Sequence, residues 1–385
     1  MSNANPTLND DQTREAARWL HLAARAGLRA FGCAEPNPMV GCAIVKGGGG
    51  GGELLAVGHH RQFGSLHAER DALARCRELG HDPTGATAYV TLEPCCHVGK
   101  QPPCTEALIE AGIARVVAAR PDPGPESGGG FALLRAAGIE CVFCDADPLA
   151  VGIGEPFVHR LRTGRPWVIA KWAQTLDGRI ATRTGESQWI SSPRARARVH
   201  RLRARVDAIL TGVGTVLADD PTLNARPTRP TSAAPRRVAR RVVVDSSLRT
   251  PTASKLVRTA RELPLTIYAG EVGTEQAVPF VSVGAEVVEG PGVRPDLRAV
   301  LEDLHARLGV ATVLVEAGPT LLGALLEHDL IDQAVVHLAP TLIGDAHARA
   351  AVEGRDAPRL TMAKAFELRT ARRVGPDLEL VYTRS

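Results

Sequence analysis

Along the first part of the chain, apolar residues recur at helical spacing in some stretches and form short continuous runs in others. Apolar positions three and four residues apart predict an amphipathic helix, whereas a short apolar run bounded by turn residues predicts a strand. Ala16, Leu20 and Ala24 show the first pattern, and the run that follows Pro38 shows the second. The predicted elements are a helix over 11–32, strands over 39–45 and 53–58, a helix over 68–80, a strand over 86–92, a helix over 105–111, a strand over 115–119, a helix over 131–137 and a strand over 140–143.

A second series of patterns begins after Asp147-Pro148. The predicted elements are a strand over 167–172, a helix that starts at Ser192-Pro193, a strand over 208–211, a Pro- and Arg-rich loop over 226–240, strands over 242–244, 265–268 and 286–288, a helix over 296–308, a strand over 312–316, a helix over 321–327 and a strand over 334–338. Alternating strands and helices predict largely parallel sheets between helix layers. The chain is therefore expected to form two α/β domains, at 1–147 and 167–385, joined by a connecting segment over 148–166.

Length, composition and charge narrow the class of protein. The 385 residues suffice for two domains with full cores, and a composition of 44% hydrophobic and 23% charged residues is that of a globular protein. A net charge of +4 is too small for a general nucleic-acid binder, and 4% aromatic residues offer little surface on which bases could stack. We therefore expect no nucleic-acid partner.

The sequence also suggests no membrane or export signal. Residues 1–11 lack the apolar core of a signal peptide, and no apolar run reaches the about 18 residues of a spanning helix. We therefore expect a cytoplasmic protein without a membrane partner, whose eight cysteines are thiols or metal ligands rather than disulfides.

The candidate chemistry centres on one histidine, one glutamate and two cysteines. The imidazole of His67 and the thiolates of Cys95 and Cys104 can form three corners of a tetrahedral zinc site and leave the fourth for water. Glu69 can then move protons to and from that water. This is the H-x-E…P-C…C arrangement of zinc-dependent deaminases, although eight residues separate these cysteines instead of two. Residues i and i+2 lie on different faces of a helix, so His67 is expected at or just before the first turn of its helix.

A structural zinc site is the alternative interpretation. It would need a fourth protein ligand, which Cys96 or His97 could supply. The position of Glu69 favours the catalytic site, because a structural site has no use for a carboxylate there.

Three other motifs have an ordinary structural interpretation. The six glycines over 47–52 lack the strand–loop–helix context of a phosphate-binding loop, so we interpret them as a hairpin connection. The C-x-x-C over 141–144 ends a predicted strand instead of opening a helix, so its cysteines are expected in the core. Gly212-Val213-Gly214 begins like a dinucleotide fingerprint, but Leu217 occupies the third glycine position. A better phosphate site is 316–323, which follows a predicted strand and opens a predicted helix.

Two sets of motifs together resemble the bifunctional riboflavin-biosynthesis deaminase–reductase family. In the first half, the resemblance lies in the cysteine spacing over 93–104 and in the Pro-Asn-Pro-Met-Val-Gly stretch over 36–41. In the second half, it lies in Lys171 and in the stretches 176–179, 185–190, 215–221 and 316–323. These segments span nearly the whole chain in the order expected for the family.

The resemblance implies a cytidine-deaminase-like three-layer domain followed by a dihydrofolate-reductase-like α/β domain. It implies zinc-dependent hydrolytic deamination of a diaminopyrimidinone ribosyl phosphate, followed by NADPH-dependent reduction of the ribosyl chain to a ribityl chain. The implied ligands are Zn²⁺, NADPH and this small phosphorylated pyrimidine, and the fold favours a homo-oligomer.

The resemblance also assigns roles to individual residues. NADPH is expected at Ala173, Trp189, Thr215, Asp219, Gly318, Pro319, Thr320, Leu321, Leu322, Gly323 and Ala324. The substrates are expected at Asn37, Lys171, Ser187, Arg203, Leu223, Arg226 and Glu316. The two arginines suit the ribose phosphate, and Arg183 is one candidate for the 2′-phosphate of NADPH.

Three positions depart from the family pattern. Leu66 stands where a proline usually precedes the zinc histidine, Gly124 replaces the asparagine of an Asp-Pro-Asn-Pro motif, and Gly154 replaces the asparagine of an Asn-x-x-Phe motif. These changes leave the candidate metal ligands intact and bear on the shape of the deaminase pocket. Two alternatives therefore stay open: a reductase whose deaminase domain prefers another base or nucleoside, and a nucleic-acid-binding module built on a deaminase scaffold.

Overall fold

The structure, a computed structural model, describes residues 8–48, 51–226 and 237–384. Contacts divide the chain into two compact units, Met1–Thr163 and Gly164–Ser385. The helices of the first unit are α1 (Asp10–Gly27), α2 (Ala68–Glu78), α3 (Cys104–Glu110), α4 (Gly130–Ala136), α5 (Pro148–Gly152) and α6 (Glu155–Thr163). Its strands are β1 (Gly41–Lys46), β2 (Glu53–His59), β3 (Thr87–Val90), β4 (Arg115–Ala118) and β5 (Glu140–Phe143).

A five-stranded sheet forms the centre of the first unit. Its strand order is β2-β1-β3-β4-β5; β1 runs antiparallel to both of its neighbours, and β3, β4 and β5 run parallel. Side chains alternate between the two faces of a sheet. Ala88 and Val90 of β3 accordingly pack into a core cluster with α2, α3 and α4, while Tyr89 packs into a second cluster with α1 and α5. The predicted three-layer α/β architecture is therefore confirmed.

Helix α1 begins where the pattern predicts and ends earlier. The side chain of Asn9 accepts a hydrogen bond from the backbone N–H of Gln12, which fixes the start. The prediction that the helix continues to residue 32 is wrong, because the α-helix ends at Gly27 and only one 3₁₀ turn follows. A Cβ on Gly27 would lie 3.1 Å from backbone atoms of Val40 and Gly41, so the chain passes close to the start of β1 here.

The glycine run and the cysteines have the structural roles expected of them. The six glycines join β1 to β2, which pair as an antiparallel hairpin, and Gly49 and Gly50 lie outside the described residues. All eight cysteines are free thiols, and Cys141 and Cys144 are buried.

The second unit contains more strands than helices. The strands are β6 (Trp167–Gln174), β7 (Arg179–Ala181), β8 (Ala208–Gly212), β9 (Arg240–Val244), β10 (Leu265–Ala269), β11 (Glu286–Glu289), β12 (Thr312–Val315), β13 (Gln333–Leu338), β14 (Arg349–Ala350), β15 (Phe366–Val374) and β16 (Asp377–Arg384). The helices are α7 (Pro193–Arg203), α8 (Val213–Asp219), α9 (Lys255–Arg258), α10 (Thr274–Val281), α11 (Leu297–Ala306) and α12 (Pro319–Glu327).

A nine-stranded sheet organises this unit, in the order β11-β10-β9-β8-β12-β6-β13-β16-β15. The first seven strands run parallel to one another, β16 pairs antiparallel with β13, and β15 pairs antiparallel with β16. Strand β12 lies between β8 and β6, so the carboxyl ends of these three strands meet at one edge of the sheet, where ligands of open α/β sheets bind. The predicted parallel α/β arrangement is confirmed for seven strands.

Two regions differ from the predicted pattern. The apolar pattern predicts no strand beyond residue 338, yet β15 and β16 form a hairpin there; nearly every residue of β15 is exposed, so its sequence lacks buried alternation. The segment 148–166, predicted as a connection, is mostly helical, and contacts assign its helices α5 and α6 to the first unit.

The predicted loop over 226–240 falls largely on residues 227–236, which lie outside the described ranges, and β9 begins at its end. Across the described part of the chain, no helix combines the length and apolarity needed to cross a bilayer.

Candidate active sites

Three metal-binding side chains predicted from the sequence meet in the first unit. The Nδ1 atom of His67 lies 3.5 Å from the Sγ atoms of both Cys95 and Cys104, and the three donor atoms all lie within 4.8 Å of one another. Tetrahedral zinc, with Zn–N of about 2.0 Å and Zn–S of about 2.3 Å, places nitrogen and sulfur roughly 3.5 Å apart. The spacing and the donor set therefore fit a zinc ion.

Two helix starts position these side chains. His67 is the N-cap of α2, and Glu69 lies in the first turn of that helix, as the sequence predicts. Cys104 is the first residue of α3, and Cys95 lies in the loop after β3. Residues that are distant along the chain thus converge because both helices begin at the same place.

The two cysteine sulfurs form a coupled pair. A hydrogen bond from Cys104 lowers the pKa of Cys95 to about 4 against the opposing effect of burial, and His67 adds to the lowering. The same hydrogen bond, together with burial, raises the pKa of Cys104.

A structural zinc site would require a fourth protein ligand. Among the described residues, the group of His, Cys, Asp and Glu donors contains only His67, Cys95 and Cys104. The Sγ atom of Cys96 lies 3.0 Å from the carbonyl oxygen of Gly128 instead. The arrangement therefore favours the open coordination of a catalytic site.

Glu69 is buried beside the zinc donors, with 3% of its surface exposed. Burial, reinforced by the negative charge of Cys95, raises the pKa of Glu69 to about 7. A carboxyl group with that pKa can accept and donate a proton near neutral pH.

A cavity of about 260 Å³ opens next to these residues. His67 and Glu69 line it, as does Asn37, which is predicted to contact the pyrimidine. Buried His60 also lines the cavity: its Nδ1 lies 3.0 Å from the carbonyl oxygen of Leu66, and its Nε2 lies 3.3 Å from Nδ2 of Asn37. His60 therefore donates to Leu66 and accepts from Asn37. The motif analysis did not single out His60, because it belongs to no spaced pattern.

The long segment between the two cysteines forms part of the cavity wall. Lys100 lines the cavity, and its ammonium lies 3.7 Å from the ring centre of Phe63. Arg70 fixes the end of the segment: its Nε lies 3.1 Å from the carbonyl oxygen of Pro102, and its Nη2 lies 2.8 Å from that of Pro103. These bonds tie the start of α3 to α2.

Two of the three departures from the family pattern, Leu66 and Gly124, contact residues that line this cavity. Leu66 offers His60 a backbone carbonyl, which a proline would offer as well. A Cβ on Gly124 would lie 2.1 Å from Oγ of Ser127, a residue of the cavity wall, so the turn is packed around a glycine here. A Cβ on Gly154 would lie 3.2 Å from the side chain of Arg120.

The predicted residues of the second unit centre on an ion pair. Arg203 donates to Glu316 through Nε at 2.6 Å and Nη2 at 2.9 Å, and to the carbonyl oxygen of Asn224 at 3.2 Å. Lys171 lies on β6, next to β12, whose end leads into Glu316; Ala173 follows on β6. Burial would raise the pKa of Glu316, but the cations Arg203 and Lys171 outweigh it and lower that pKa. Burial lowers the pKa of Lys171, with Glu316 opposing.

Strand β12, a short loop and α12 form the predicted phosphate-binding arrangement. Gly318 is the N-cap of α12 and Pro319 its first residue. Thr215 is adjacent, because a Cβ on Gly318 would lie 3.9 Å from its Oγ1. A Cβ on Gly323 would lie 1.8 Å from the carbonyl oxygen of Glu353, so only glycine permits this contact. The other predicted residues of the stretch follow within α12: Thr320, Leu321, Leu322 and Ala324.

Other predicted cofactor residues lie on the loop before α7 and at the end of α8. Nε2 of Gln188 lies 3.4 Å from Oδ1 of Asp219, which brings the loop carrying half-buried Ser187 to α8. Trp189 is 68% exposed, and the guanidinium of Arg196 lies 4.3 Å from its ring centre. The exposed ring offers a flat surface to a ligand.

Asn224 connects the two arginines predicted to bind phosphate, and sequence reasoning did not single it out. Its carbonyl oxygen accepts from Arg203, and its Oδ1 lies 3.4 Å from Nε of Arg226. Leu223 beside it is buried. Arg183, the candidate for the cofactor's 2′-phosphate, lies 3.7 Å from a carboxylate oxygen of Asp345.

Two protein-family models match the chain. The model of the RibD C-terminal domain matches residues 166–380, and the model of the cytidine and deoxycytidylate deaminase zinc-binding region matches residues 13–120. The matches therefore cover both units in the predicted order.

Curated relatives and solved structures match along almost the full length. A riboflavin biosynthesis protein RibD from Actinobacillus pleuropneumoniae is 39% identical over 383 residues, covering 97% of this chain and 96% of the relative. A riboflavin biosynthesis protein RibD from Escherichia coli is 40% identical over 375 residues, covering 94% of this chain and 96% of the relative. Acinetobacter baumannii RibD superimposes with a TM-score of 0.78 at 34% identity, covering 97% and 99%. The TM-score is 0.77, at 28% identity and with the same coverage, for a Thermotoga maritima diaminohydroxyphosphoribosylaminopyrimidine deaminase/5-amino-6-(5-phosphoribosylamino)uracil reductase.

Proposed function

The chain belongs to the RibD family of bifunctional riboflavin-biosynthesis enzymes, and from that premise we propose how its residues divide the two reactions. It is an enzyme with a zinc-binding deaminase domain and a reductase domain. The first reaction deaminates a diaminopyrimidinone ribosyl phosphate by hydrolysis, and the second reduces the ribosyl chain to a ribityl chain. We assign the deaminase to Met1–Thr163 and the reductase to Gly164–Ser385.

His67, Cys95 and Cys104 hold the zinc ion of the deaminase. The observation that carries this assignment is the convergence of their donor atoms beside buried Glu69 in one cavity. Zinc, when bound, supplies Lewis acidity that lowers the pKa of water toward about 7. The ligand set is tested by Cys104→Ser, which should lose zinc and deaminase activity together; full zinc content and full rate in that variant would refute it.

Glu69 moves the protons of the deamination. Its carboxylate takes a proton from the attacking water and passes it to the departing amine. A pKa of about 7 suits both steps, because the acid and the base form are populated near neutral pH. Asn37, in the same cavity, contacts the pyrimidine and orients its amino-bearing carbon.

The reductase residues surround the carboxyl ends of β8, β12 and β6. Lys171, Arg203 and Glu316 bind the ribosyl part of the substrate, with Ser187 and Leu223 beside it, and Arg226 suits its phosphate. The nicotinamide cofactor supplies the hydride when bound. The N-terminus of α12 would hold its pyrophosphate through backbone N–H groups, and Ala173, Trp189, Thr215 and Asp219 would hold the rest of the cofactor.

We expect the cofactor to be NADPH, as the family resemblance implies. Initial rates with NADPH and NADH over a range of concentrations measure the preference, and equal catalytic efficiency with the two would overturn it.

Product analysis separates the proposed function from its alternatives. The chain is incubated with the diaminopyrimidinone ribosyl phosphate, with and without NADPH, and the masses of the products are measured by mass spectrometry. Without NADPH we expect replacement of an amino group by oxygen, and with NADPH the further addition of two hydrogens. A deaminase of another base would leave this substrate unchanged, and a nucleic-acid-binding module would retain labelled single strands in a filter assay.

We also propose that the protein works in the cytoplasm as a homo-oligomer. The free state of all eight cysteines supports a reducing compartment, and self-association follows from the family resemblance. Light scattering of the purified chain measures its mass in solution, and a mass of one chain at working concentration would contradict this assignment.

A further inference from the structure

Helix α6 lies beside the deaminase cavity, although the sequence places it in a connecting segment. Phe157, in the first turn of the helix, lines the cavity together with Asn37, His67 and Glu69. The guanidinium of Arg160 lies 5.5 Å from the centre of the Phe157 ring. A flat apolar surface thus faces the space where a pyrimidine ring would bind.

Arg160 joins this helix to the turn that carries Asn37. Arg160 is buried and donates a hydrogen bond to the carbonyl oxygen of Pro36, the residue before Asn37. The backbone N–H of Asn37 in turn donates to the carbonyl oxygen of Ala34 at 3.0 Å. The turn is therefore stabilised by a hydrogen bond within itself and by a second one from α6.

The side chain of Asn37 is constrained as well. Its Nδ2 lies 3.3 Å from Nε2 of His60, so the amide oxygen remains for a ligand in the cavity. A shift of the Pro36 carbonyl would move this amide relative to His60, because the two residues are adjacent along the chain.

The start of α6 is anchored to the deaminase sheet. Nη1 of Arg120 lies 2.6 Å from Oε1 of Glu155 and 3.2 Å from the carbonyl oxygen of Val151. The carbonyl oxygen of Arg120 accepts from the N–H of Glu93, another residue of the cavity wall. Contacts within the first unit therefore fix where Phe157 stands.

We propose that α6 is part of the deaminase site: Phe157 contacts the bound pyrimidine and helps select it, and Arg160 is a positioning residue that acts through Asn37. The inference rests on the proposed deaminase activity. Aromatic rings bind one another favourably in offset-stacked or edge-to-face arrangements, so a phenylalanine suits this wall better than an aliphatic side chain does.

The role of Phe157 is tested in the full chain by Phe157→Ala and Phe157→Leu. With Phe157→Ala we expect the deaminase KM to rise about tenfold while kcat changes less than about threefold, because binding shared by ground state and transition state is lost. Phe157→Leu keeps apolar volume and should show a smaller rise. Zinc content and the reductase rate on deaminated substrate should match the parent, which shows that the variants are folded.

The role of Arg160 is tested by Arg160→Met, with Arg160→Lys as the variant that retains a donor. We expect Arg160→Met to lower deaminase kcat/KM about tenfold and Arg160→Lys to restore part of it. If Arg160 acts through Asn37, the double variant Asn37→Ala with Arg160→Met should be no worse than Asn37→Ala alone. Arg162→Met, at an exposed position of the same helix, is the control and should behave as the parent.

Two results would overturn the inference. One is an unchanged KM in Phe157→Ala; the other is full additivity of the Asn37 and Arg160 effects, which is the behaviour of a residue that only packs. If the parent chain deaminates nothing, the proposed function fails and this inference fails with it. That failure can be told apart from failure of the inference alone, because the two results above are seen in variants of a parent that is active.

Discussion

Two glutamates, Glu69 in the first unit and Glu316 in the second, have opposite electrostatic surroundings. Glu69 lies beside Cys95, and burial together with that negative charge raises the pKa of Glu69 to about 7. Glu316 is partly buried, with 14% of its side chain exposed, but two hydrogen bonds from Arg203 outweigh the effect of burial and hold its pKa below the ordinary value. Glu316 is therefore held in its charged form by its arginine, whereas the burial of Glu69 favours its protonated form and suits the proton-carrying role that we propose for it.

The strongest test of this contrast is Glu69→Gln. Glutamine keeps the size of the side chain and cannot carry a proton, so deamination should fall by about 10²–10⁴. Zinc should stay bound, because Glu69 is not a ligand. Deaminase rate and zinc content are measured on the same preparation.

The second unit provides the control for this variant. Given deaminated substrate and NADPH, Glu69→Gln should oxidise NADPH at the parent rate. Loss of both activities with unchanged folding and zinc would mean that the two sites are not independent.

The reverse experiment is Glu316→Gln. It leaves Arg203 without its carboxylate beside the proposed substrate site. Truncating one partner of such a hydrogen-bonded charge pair weakens ligand binding by about 2–5 kcal/mol, and about 2.7 kcal/mol is a hundredfold, so reductase kcat/KM should fall roughly a hundredfold. Deamination should be unchanged. A Glu316→Gln enzyme with the parent reductase rate would show that the pair is only a packing feature.

A third glutamate sharpens the comparison. Burial would raise the pKa of Glu379, but hydrogen bonds from His337 and Arg198 outweigh it and lower the pKa to about 2. A depressed pKa contributes stability that is present above the ordinary value of about 4.3 and is lost as pH falls toward the folded value. We expect the second unit to lose on the order of 2 kcal/mol between about pH 4.5 and pH 2 through this group.

Glu379→Gln should remove that part of the pH dependence and lower stability at neutral pH. Urea unfolding followed by tryptophan fluorescence measures it, because Trp167, Trp172 and Trp189 lie in the second unit and only Trp19 in the first. An unchanged pH profile in Glu379→Gln would contradict the assignment.

The smallest expected effect concerns the zinc donors rather than the proton carrier. Arg70→Met removes two hydrogen bonds to the carbonyls before Cys104, so zinc should pass to a chelator several-fold faster. Arg77→Met, at an exposed position of the same helix, is the matched control. Equal release rates in both variants would mean that Arg70 does not hold the site together.

The sequence predicts which candidate zinc donors come together more completely than it predicts the cavity around them. His67, Glu69, Cys95 and Cys104 fall in one compact stretch whose spacing has chemical meaning, and two helix starts bring them together. Phe157 ends the stretch over 154–157 that corresponds to the Asn-x-x-Phe motif, but that motif does not show that its ring reaches the cavity, because tertiary packing places it there.

The strands of the fold also differ in how well the sequence predicts them. Strands buried on both faces, such as β8 and β12, have continuous apolar runs and were predicted within a residue or so. Strand β15 is exposed along nearly its whole length and is held by pairing with β16, so hydrogen bonding rather than side-chain pattern defines it. Asn224 likewise acts through a backbone carbonyl, which residue identity does not reveal.

The anchoring of α6 has a practical consequence for anyone who wants the two catalysts as separate proteins. A gene cut after codon 147, where the apolar pattern changes, would leave Phe157 and Arg160 on the wrong fragment. Gly164 follows the helix with φ of +66° and open space around it, and the contact boundary falls at this residue. It is therefore the natural place to end a deaminase expressed alone, or to insert a protease site between the halves.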